Sequence, residues 1–322
     1  MDSFEGKRAV VTGGGSGMGR ELVVQLAAAG CSVATCDVNP SGLAETVAKA
    51  EAGAPTGTRI TSHVCDVSDE SQVVAFHDEV VKAHGEVLEL VFNNAGIGGG
   101  ASFISDSRED WERTFAVDFW GVYYCTRAFL QNLMAASESV LVNTSSVNGF
   151  WASIGPGMPH TAYSTAKFAV KGLSESLIED FRVNAPHVRV AVVMPGHIGT
   201  DIVANSRRYF GRPEPDALSD TDVEEVRTQI ARRGIPAEQL TTEQLRDVVK
   251  MIEEGFRNSA PLDAGGAARI ILEGVKSGKW RILVGDDAHR LDEAVRADPE
   301  GAYDHKGVGI SPLTLGEDLA GG

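Results

Sequence analysis

The sequence predicts an α/β fold built on a single parallel, doubly wound sheet of about seven strands with helices on both faces. Short runs rich in Val, Ile and Leu alternate with segments of helical spacing over most of the chain. Each apolar run is continuous rather than alternating, which is typical of strands buried on both faces. Strand–helix repetition of this kind predicts a parallel sheet. The predicted strands lie at Arg8–Thr12, Ser32–Asp37, Arg59–Cys65, Leu88–Asn93, Val140–Thr144, Arg189–Met194 and Trp280–Val284.

Segments of helical spacing connect these strands. They lie at Gly17–Ala29, Gly42–Ala52, Ser68–His84, Glu109–Met134, Ala162–Val183 and Gly265–Ser277. The alternation breaks between residues 197 and 260, where no strand-like run occurs and amphipathic helices are predicted near Asp222–Arg233 and Thr242–Gly255. Thr241–Gln244 offers a possible capping box for the second. Because this stretch is short and mostly polar, we expect a helical substrate lid inserted in the domain rather than a separate domain.

Composition sets limits on partners and location. The chain has 322 residues, a formal net charge of −16 and a sequence pI of about 4.9, so neither nucleic acid nor an anionic membrane surface is expected as a partner. Its four cysteines form no CxxC pair, so we expect buried thiols, no metal site and a reducing, cytoplasmic location. No apolar leader or membrane-length run is apparent.

Residues 1–285 are predicted to form one catalytic domain, and the acidic residues 286–322 an irregular tail.

A glycine-rich turn follows the first predicted strand and opens the first helix. Its sequence is Thr12-Gly-Gly-Gly-Ser-Gly-Met-Gly19. Glycines let the backbone approach a pyrophosphate, and the helix N-terminus favours its negative charge. A merely flexible loop is the alternative, but a strand before and a helix after favour binding. The turn therefore predicts a Rossmann-type dinucleotide site with contacts from Gly13, Ser16, Gly17, Met18 and Gly19.

Polar residues at three further strand ends extend this site. Asp37 ends the second strand, where a carboxylate can accept hydrogen bonds from both adenosine ribose hydroxyls and would repel a 2′-phosphate. No Arg or Lys lies in the turn or directly after Asp37, so NAD is favoured over NADP; an N-cap role for Asp37 is the alternative. Asp66-Val67 and Asn93-Asn-Ala-Gly96 also lie at the ligand-binding edge of the sheet. Loop solvation of Asp66 and a structural turn role for Asn93 are the alternatives.

Tyr163 and Lys167 lie four residues apart in a predicted helix, so their side chains share one face. An ammonium group beside a phenol lowers the pKa of the phenol because it favours the phenolate. That effect would make Tyr163 a usable base near neutral pH. The spacing alone is weak, because a surface lysine near a half-buried tyrosine often produces it. The motifs that precede it give it weight.

The set of motifs resembles the short-chain dehydrogenase/reductase family. Ser145-Ser146 after the fifth strand and Pro195-Gly-His-Ile-Gly-Thr200 after the sixth complete the match. The motifs occur in family order across residues 7–200, with the last strand–helix unit near 265–284. The resemblance implies an NAD-dependent oxidoreductase that interconverts a secondary alcohol and a ketone by hydride transfer.

The resemblance also implies roles for individual residues. Tyr163 would be the general acid/base, Lys167 would bind the nicotinamide ribose and lower the Tyr163 pKa, and Ser146 would hydrogen-bond the substrate oxygen. Ile198 and Thr200 would hold the carboxamide and the phosphates of the cofactor. The remaining cofactor contacts that it implies are Asp66, Val67, Asn93, Ala95, Gly96, Pro195 and Gly196.

Two departures from the family pattern concern the catalytic group. Asp118 stands where members usually have an asparagine that holds a water in the proton relay. An ionised Asp118 is an acceptor only, and it would pair with Lys167 and weaken the effect of the lysine on Tyr163. We hypothesise a working relay with an altered pH optimum. The gap of 17 residues from Ser146 to Tyr163 is longer than usual, which leaves Ser145 as the alternative.

Substrate and assembly are predicted only by class. The pocket wall should come from Ile97–Phe103, residues 150–160 and the lid. Apolar side chains in this wall favour a hydrophobic or alicyclic alcohol or ketone as substrate. These side chains are Phe150, Trp151, Ile154 and Met158. Packing under a loop is an equal alternative. A catalytically weak NAD-binding regulator or scaffold, and an NAD-using epimerase or dehydratase, are the other functions considered. Family members commonly pair the helices at Glu109–Met134 and Ala162–Val183 between subunits, so a homo-oligomer, tetramer or dimer, is expected.

Overall fold

The predicted parallel sheet is present. The computed structural model describes residues 1–99, 102–155, 159–232 and 237–304. Its strands are β1 (Arg8–Thr12), β2 (Ser32–Asp37), β3 (Ile60–Val64), β4 (Leu90–Asn93), β5 (Ser139–Thr144), β6 (Val188–Pro195), β7 (Ile198–Gly199), β8 (Leu262–Asp263) and β9 (Arg281–Val284). Seven of them form one sheet in the order β3-β2-β1-β4-β5-β6-β9, with every neighbouring pair parallel. Each of the seven predicted strands is confirmed to within two residues at either end.

Helices connect the strands and cover both faces of the sheet. They are α1 (Gly17–Ala28), α2 (Pro40–Gly53), α3 (Glu70–His84), α4 (Arg108–Phe115), α5 (Gly121–Met134), α6 (Thr161–Asn184), α7 (Ile202–Tyr209), α8 (Asp220–Arg232), α9 (Thr242–Asn258), α10 (Ala264–Lys276) and α11 (Asp286–Ala297). Asp69 caps the start of α3, and Gly85, with a φ of 86°, ends it. The helix predicted over Glu109–Met134 is interrupted by a π-helical turn, Ala116–Trp120, that joins α4 to α5.

The strand order places a ligand crevice between β1 and β4. The chain builds the sheet outward from β1 to β3, then returns to the other side of β1 and continues from β4. Open parallel sheets bind ligands at such a reversal, beyond the carboxyl ends of the strands. The glycine turn follows β1 and the Asn93 segment follows β4, so both predicted motifs lie at this crevice.

Two apolar layers hold the helices against the sheet. On one face Leu26 of α1 and Ile271 of α10 are buried, and on the other Phe129 of α5 and Phe76 of α3 are buried. Each such side chain stabilises the fold by roughly 1.5–3 kcal/mol. The prediction that every strand is buried on both faces is wrong for β3, because it is the edge strand and Val64 is 64% exposed.

The lid region and the C-terminal segment differ in part from prediction. The capping box is confirmed, because Thr241 Oγ1 accepts the Gln244 N–H at 3.2 Å and Gln244 Oε1 accepts the Thr241 N–H at 2.8 Å. The predicted absence of strands from residues 197–260 is wrong, because β7 lies in this stretch and pairs with β8. The prediction of an irregular tail is wrong for Asp286–Ala297, which is helical and buries Leu291 in a small cluster. Residues 305–322 and Arg233 lie outside the described residues. None of the described helices is long and apolar enough to cross a membrane.

Candidate active site

The glycine turn between β1 and α1 packs directly against the segment that follows β4. Gly13 has a φ of 72°, and a β-carbon there would lie 2.7 Å from the Cα of Ala95. One at Gly19 would collide with the Gly13 carbonyl oxygen. The Thr12 hydroxyl accepts hydrogen bonds from the N–H groups of Asn94 and Ala95, both at 3.0 Å. The turn is thus fixed at the crevice by contacts that leave no room for a side chain at either glycine.

The N-terminus of α1 is suited to an anion. Ser16 precedes the helix but makes no capping hydrogen bond to it within the described chain. Its hydroxyl instead accepts a hydrogen bond from Asn205 Nδ2 at 3.0 Å. The N–H groups of the first turn, which begins with Gly17 and Met18, therefore keep their donor capacity at the positive end of the helix dipole. This arrangement fits the pyrophosphate of a dinucleotide.

Asp37 lies beside the same turn, at the carboxyl end of β2. One carboxylate oxygen accepts the Gly15 N–H at 2.9 Å, and the other accepts the Asn39 N–H at 2.9 Å. Asp37 is not the N-cap of α2, because Asn39 has that role and its side chain accepts the Gly42 N–H. The half-buried carboxylate is held in place while lone pairs remain for further donors.

Asp66 and Val67 follow β3 and contact two different helices. Asp66 Oδ1 accepts the Ser68 N–H at 2.9 Å, and its Oδ2 accepts the hydroxyl of Tyr209, from the end of α7, at 3.1 Å. Val67 is buried against Gly121, where a β-carbon would lie 2.7 Å from Val67 Cγ2. The structure therefore attaches the Asp66 side chain to the lid region.

The Asn93 side chain has a structural position. It is 2% exposed, and its Nδ2 donates to Asn143 Oδ1 at 2.8 Å and to Thr126 Oγ1 at 2.9 Å. These partners join β4 to β5 and α5. The side chain thus points into the interior. Of the residues that follow it, Ala95 lies beside the glycine turn and Gly96 lies beside the Lys167 ammonium.

Residues 195–200 pass from β6 toward the glycine turn. A β-carbon built on Gly17 would lie 3.2 Å from Thr200 Cγ2, so the two segments are adjacent. Ile198 is buried in β7. The N–H of His197 donates to Asp287 Oδ2 at 2.6 Å, and the Nε2 atom of its ring lies 2.6 Å from the Phe256 carbonyl oxygen. Pro195 and Gly196 therefore belong to a segment that is anchored from α11.

The Asp118–Lys167 pair expected from the sequence is present. Lys167 Nζ lies 3.3 Å from Asp118 Oδ1 and 3.3 Å from the Thr144 carbonyl oxygen. Asp118 Oδ1 also accepts the Ile97 N–H at 3.0 Å, while its Oδ2 is buried without a partner among the described residues. Asp118 occupies the π-helical turn, and such turns occur often at functional sites.

Tyr163 lies one turn before Lys167 on α6. The Lys167 ammonium is 5.4 Å from the centre of its ring, and the ring of His160 lies 4.7 Å away. Ser146 lies near enough to Tyr163 that its hydroxyl lowers the pKa of the phenol. Ser145 instead donates to the Lys167 carbonyl oxygen at 2.7 Å. This geometry favours Ser146 over Ser145 as the serine of the site.

Burial and charge act in opposite directions on this group. Burial raises the pKa of Tyr163 above its ordinary value; the Lys167 ammonium lowers it, the Asp118 carboxylate raises it and Ser146 lowers it. Burial lowers the pKa of Lys167, but the negative charges of Asp118 and Tyr163 outweigh burial and raise it. Lys167 therefore acts on the pKa of Tyr163 in the expected direction, and Asp118 opposes it as expected, while burial raises this pKa further.

Some predicted contacts are absent and others were missed. Trp151, expected in the pocket wall, is 1% exposed and donates through Nε1 to the Ala302 carbonyl oxygen at 2.9 Å; Met158 lies outside the described residues. Thr12 and Asn94 were missed as supports of the turn, although their positions at strand ends were a usable signal. Tyr209 was missed because nothing local indicates its contact with Asp66.

The crevice, the glycine cradle and the pair of half-buried Tyr163 and buried Lys167 define a dinucleotide-binding oxidoreductase. A family model described as short chain dehydrogenase matches residues 7–209. The chain therefore belongs to the short-chain dehydrogenase/reductase family.

Known proteins resemble this chain over most of its length. SadH of Mycobacterium tuberculosis, whose name gives oxidoreductase as its provisional class, is 34% identical over 296 residues, 92% of both chains. Levodione reductase of Leifsonia aquatica is 32% identical over 214 residues, 66% of this chain and 77% of that enzyme. A short-chain dehydrogenase/reductase from Burkholderia phymatum, solved in complex with NAD, has a TM-score of 0.73 and 29% identity, covering 94% of this chain and 95% of its own.

Proposed function

We propose that this protein is an NAD-dependent oxidoreductase that interconverts a secondary alcohol and a ketone with Tyr163 as acid/base. The observation that carries the proposal is the meeting of Tyr163, Lys167 and Ser146 beside a glycine turn that fits a dinucleotide. The resemblance to a protein named as a reductase supports redox chemistry on a small molecule.

The ribose end of the crevice supports NAD rather than NADP. Asp37 places a carboxylate there, and a 2′-phosphate would be repelled by it. Arg20 is the nearby cation, but its Nη2 donates to the Gly15 carbonyl oxygen at 2.6 Å and pairs with Glu45 at 2.9 Å. Its charge is therefore already compensated. The NAD found in the Burkholderia phymatum structure agrees with this preference.

In the proposed mechanism the side chains bind the substrate oxygen and transfer its proton. A bound nicotinamide would supply the hydride chemistry, which no side chain provides. Ser146 would hydrogen-bond the substrate oxygen and stabilise the charge that develops there. Tyr163 would remove or return the proton at that oxygen. Lys167, kept charged by Asp118, would favour the phenolate and bind the nicotinamide ribose.

Exposed apolar side chains support a hydrophobic or alicyclic substrate. Phe103 is 77% exposed and Ile104 is 96% exposed, and both lie between β4 and α4. Large apolar side chains grouped at a surface often mark ligand contacts. Trp151, by contrast, is buried beneath the C-terminal segment.

An NAD-coupled panel of alicyclic, steroid, terpenoid and short diol alcohols tests the function. NADH is expected to form in stoichiometric amounts with at least one hydrophobic secondary alcohol. A protein that binds NADH but turns over nothing would favour the regulator or scaffold. Conversion of a substrate without net NADH would favour the epimerase or dehydratase.

We propose that α7 belongs to a substrate lid. The Ser206 hydroxyl accepts the Gly98 N–H at 2.8 Å, while Asn205 reaches Ser16 and Tyr209 reaches Asp66. Saturation with NAD should therefore protect residues 197–205 from amide exchange, because these contacts join the lid to proposed cofactor contacts. The helix α3 is the internal control, since its exchange should not change. No protection at saturation would contradict the lid.

Assembly and location are also proposals. Trp120 and Phe168, on the helical segments expected to pair between subunits, are 42% and 40% exposed. This exposure supports a homotetramer or dimer.

The four cysteines are free and buried, which suits a reducing cytoplasm. We propose one catalytic domain over residues 1–285 with the lid inserted.

A further inference from the structure

A buried carboxylate from α11 lies against the segment that follows β6. Asp287 is in the first turn of α11 and is 6% exposed. Its Oδ2 accepts the His197 N–H at 2.6 Å. Its Oδ1 is buried and has no partner in the part of the chain that the structure describes. A carboxylate held with one oxygen unpaired is costly, so its retention calls for a reason beyond the stability of the fold.

The backbone around Asp287 is shaped to this side chain. A β-carbon built on Gly196 would collide with both Asp287 oxygens, and one on Gly285 would collide with Oδ1. Gly285 also has a φ of 102°, which favours glycine. The carboxylate is therefore enclosed between the ends of β6 and β9, where only glycines permit the close approach.

We propose that Asp287 is a positioning residue for the nicotinamide half of the cofactor. By accepting the His197 N–H it fixes residues 195–200, where the family resemblance places the carboxamide contact of the cofactor. This inference rests on the proposed function. The adenosine half is assigned to the glycine turn and Asp37. Thr200 lies against Gly17 of that turn, but Asp287 bonds His197, which adjoins Ile198 and precedes Thr200 by three residues. Loss of Asp287 should therefore weaken binding only of ligands that carry nicotinamide.

The test compares NADH with ADP-ribose, which lacks the nicotinamide ring, by measuring dissociation constants for matched variants. Asp287→Ala should weaken NADH about tenfold, the effect of one lost buried hydrogen bond, and leave the affinity for ADP-ribose unchanged. Asp287→Asn keeps an acceptor for the His197 N–H and should recover most of the NADH affinity. Asp286→Ala is the control, because Asp286 is exposed in the same helical turn.

Several results would overturn the inference. They are an unchanged NADH affinity in Asp287→Ala, an equal loss for both ligands, and an Asp287→Asn variant no better than Asp287→Ala. If Asp287→Ala does not fold, Asp287→Ser carries the same expectations, because its hydroxyl is too short to reach the His197 N–H. Wild-type protein that binds neither ligand would instead overturn the proposed function itself.

Discussion

Replacing Tyr163 by phenylalanine is expected to abolish turnover while the cofactor still binds. The substitution removes only the hydroxyl that would exchange a proton with the substrate, so kcat should fall by roughly 10³-fold. The ring remains beside Lys167 and His160, so the dissociation constant for NADH should stay close to that of the wild type. Steady-state rates with the alcohol found by the panel, and a fluorescence titration with NADH, measure the two quantities.

Tyr123→Phe is the matched control for this variant. Tyr123 is half-buried on α5 and loses the same hydroxyl, so its turnover should match the wild type. A Tyr163→Phe protein with wild-type turnover would show that another group exchanges the proton. Loss of NADH binding together with turnover would assign Tyr163 a cofactor-binding or structural role instead.

Most of the sheet could be predicted because an interior parallel strand must be apolar on both faces. Every residue of β5 is buried, and Val140, Leu141 and Val142 form an apolar run at its centre. Strand β3, at one edge of the sheet, has neither the run nor the burial: its sequence is Ile-Thr-Ser-His-Val, and Val64 is 64% exposed. The helix α11 was missed because Ala288, Leu291 and Val295 have helical spacing only within an acidic segment. The side chain that they pack against, Trp151, lies far earlier in the chain.

The site could be predicted where a motif coincides with the end of a strand. Asp37, Ser146 and the Tyr163–Lys167 pair all lie where the sheet ends or beside it. Contacts between segments distant in sequence could not be predicted, and the hydrogen bond from the Tyr209 hydroxyl to Asp66 is one of them. The π-helical turn is another feature without a local signal, because its residues have ordinary helical spacing.

The charge of Asp118 keeps Lys167 protonated but opposes the effect of the lysine on the pKa of Tyr163. Their side chains are 0% and 4% exposed and their charged atoms lie 3.3 Å apart, so water screens the interaction little. Burial raises the pKa of Tyr163, and among the charged neighbours Lys167 lowers it while Asp118 raises it. Removing the Asp118 charge would leave the effect of the lysine unopposed, and the pKa of Tyr163 would fall.

Asp118→Asn is therefore expected to extend alcohol oxidation to lower pH. Oxidation needs the Tyr163 phenolate, so its rate is lost as pH falls through the tyrosine pKa, and a lower pKa moves this acid limb downward. At neutral pH kcat/KM for oxidation should rise roughly three- to tenfold. Ketone reduction needs the neutral phenol, so its basic limb should move downward as well. Profiles of kcat/KM against pH in both directions measure these shifts.

Asparagine keeps the size of Asp118 and an acceptor for the Ile97 N–H, so the variant changes mainly the charge beside Lys167. Asp78→Asn makes the same change in net charge at a side chain that is 72% exposed, and its profile should match that of the wild type. A shift shared by both variants would trace the effect to net charge. Profiles of Asp118→Asn that superimpose on the wild type would show that the carboxylate does not govern the protonation of Tyr163.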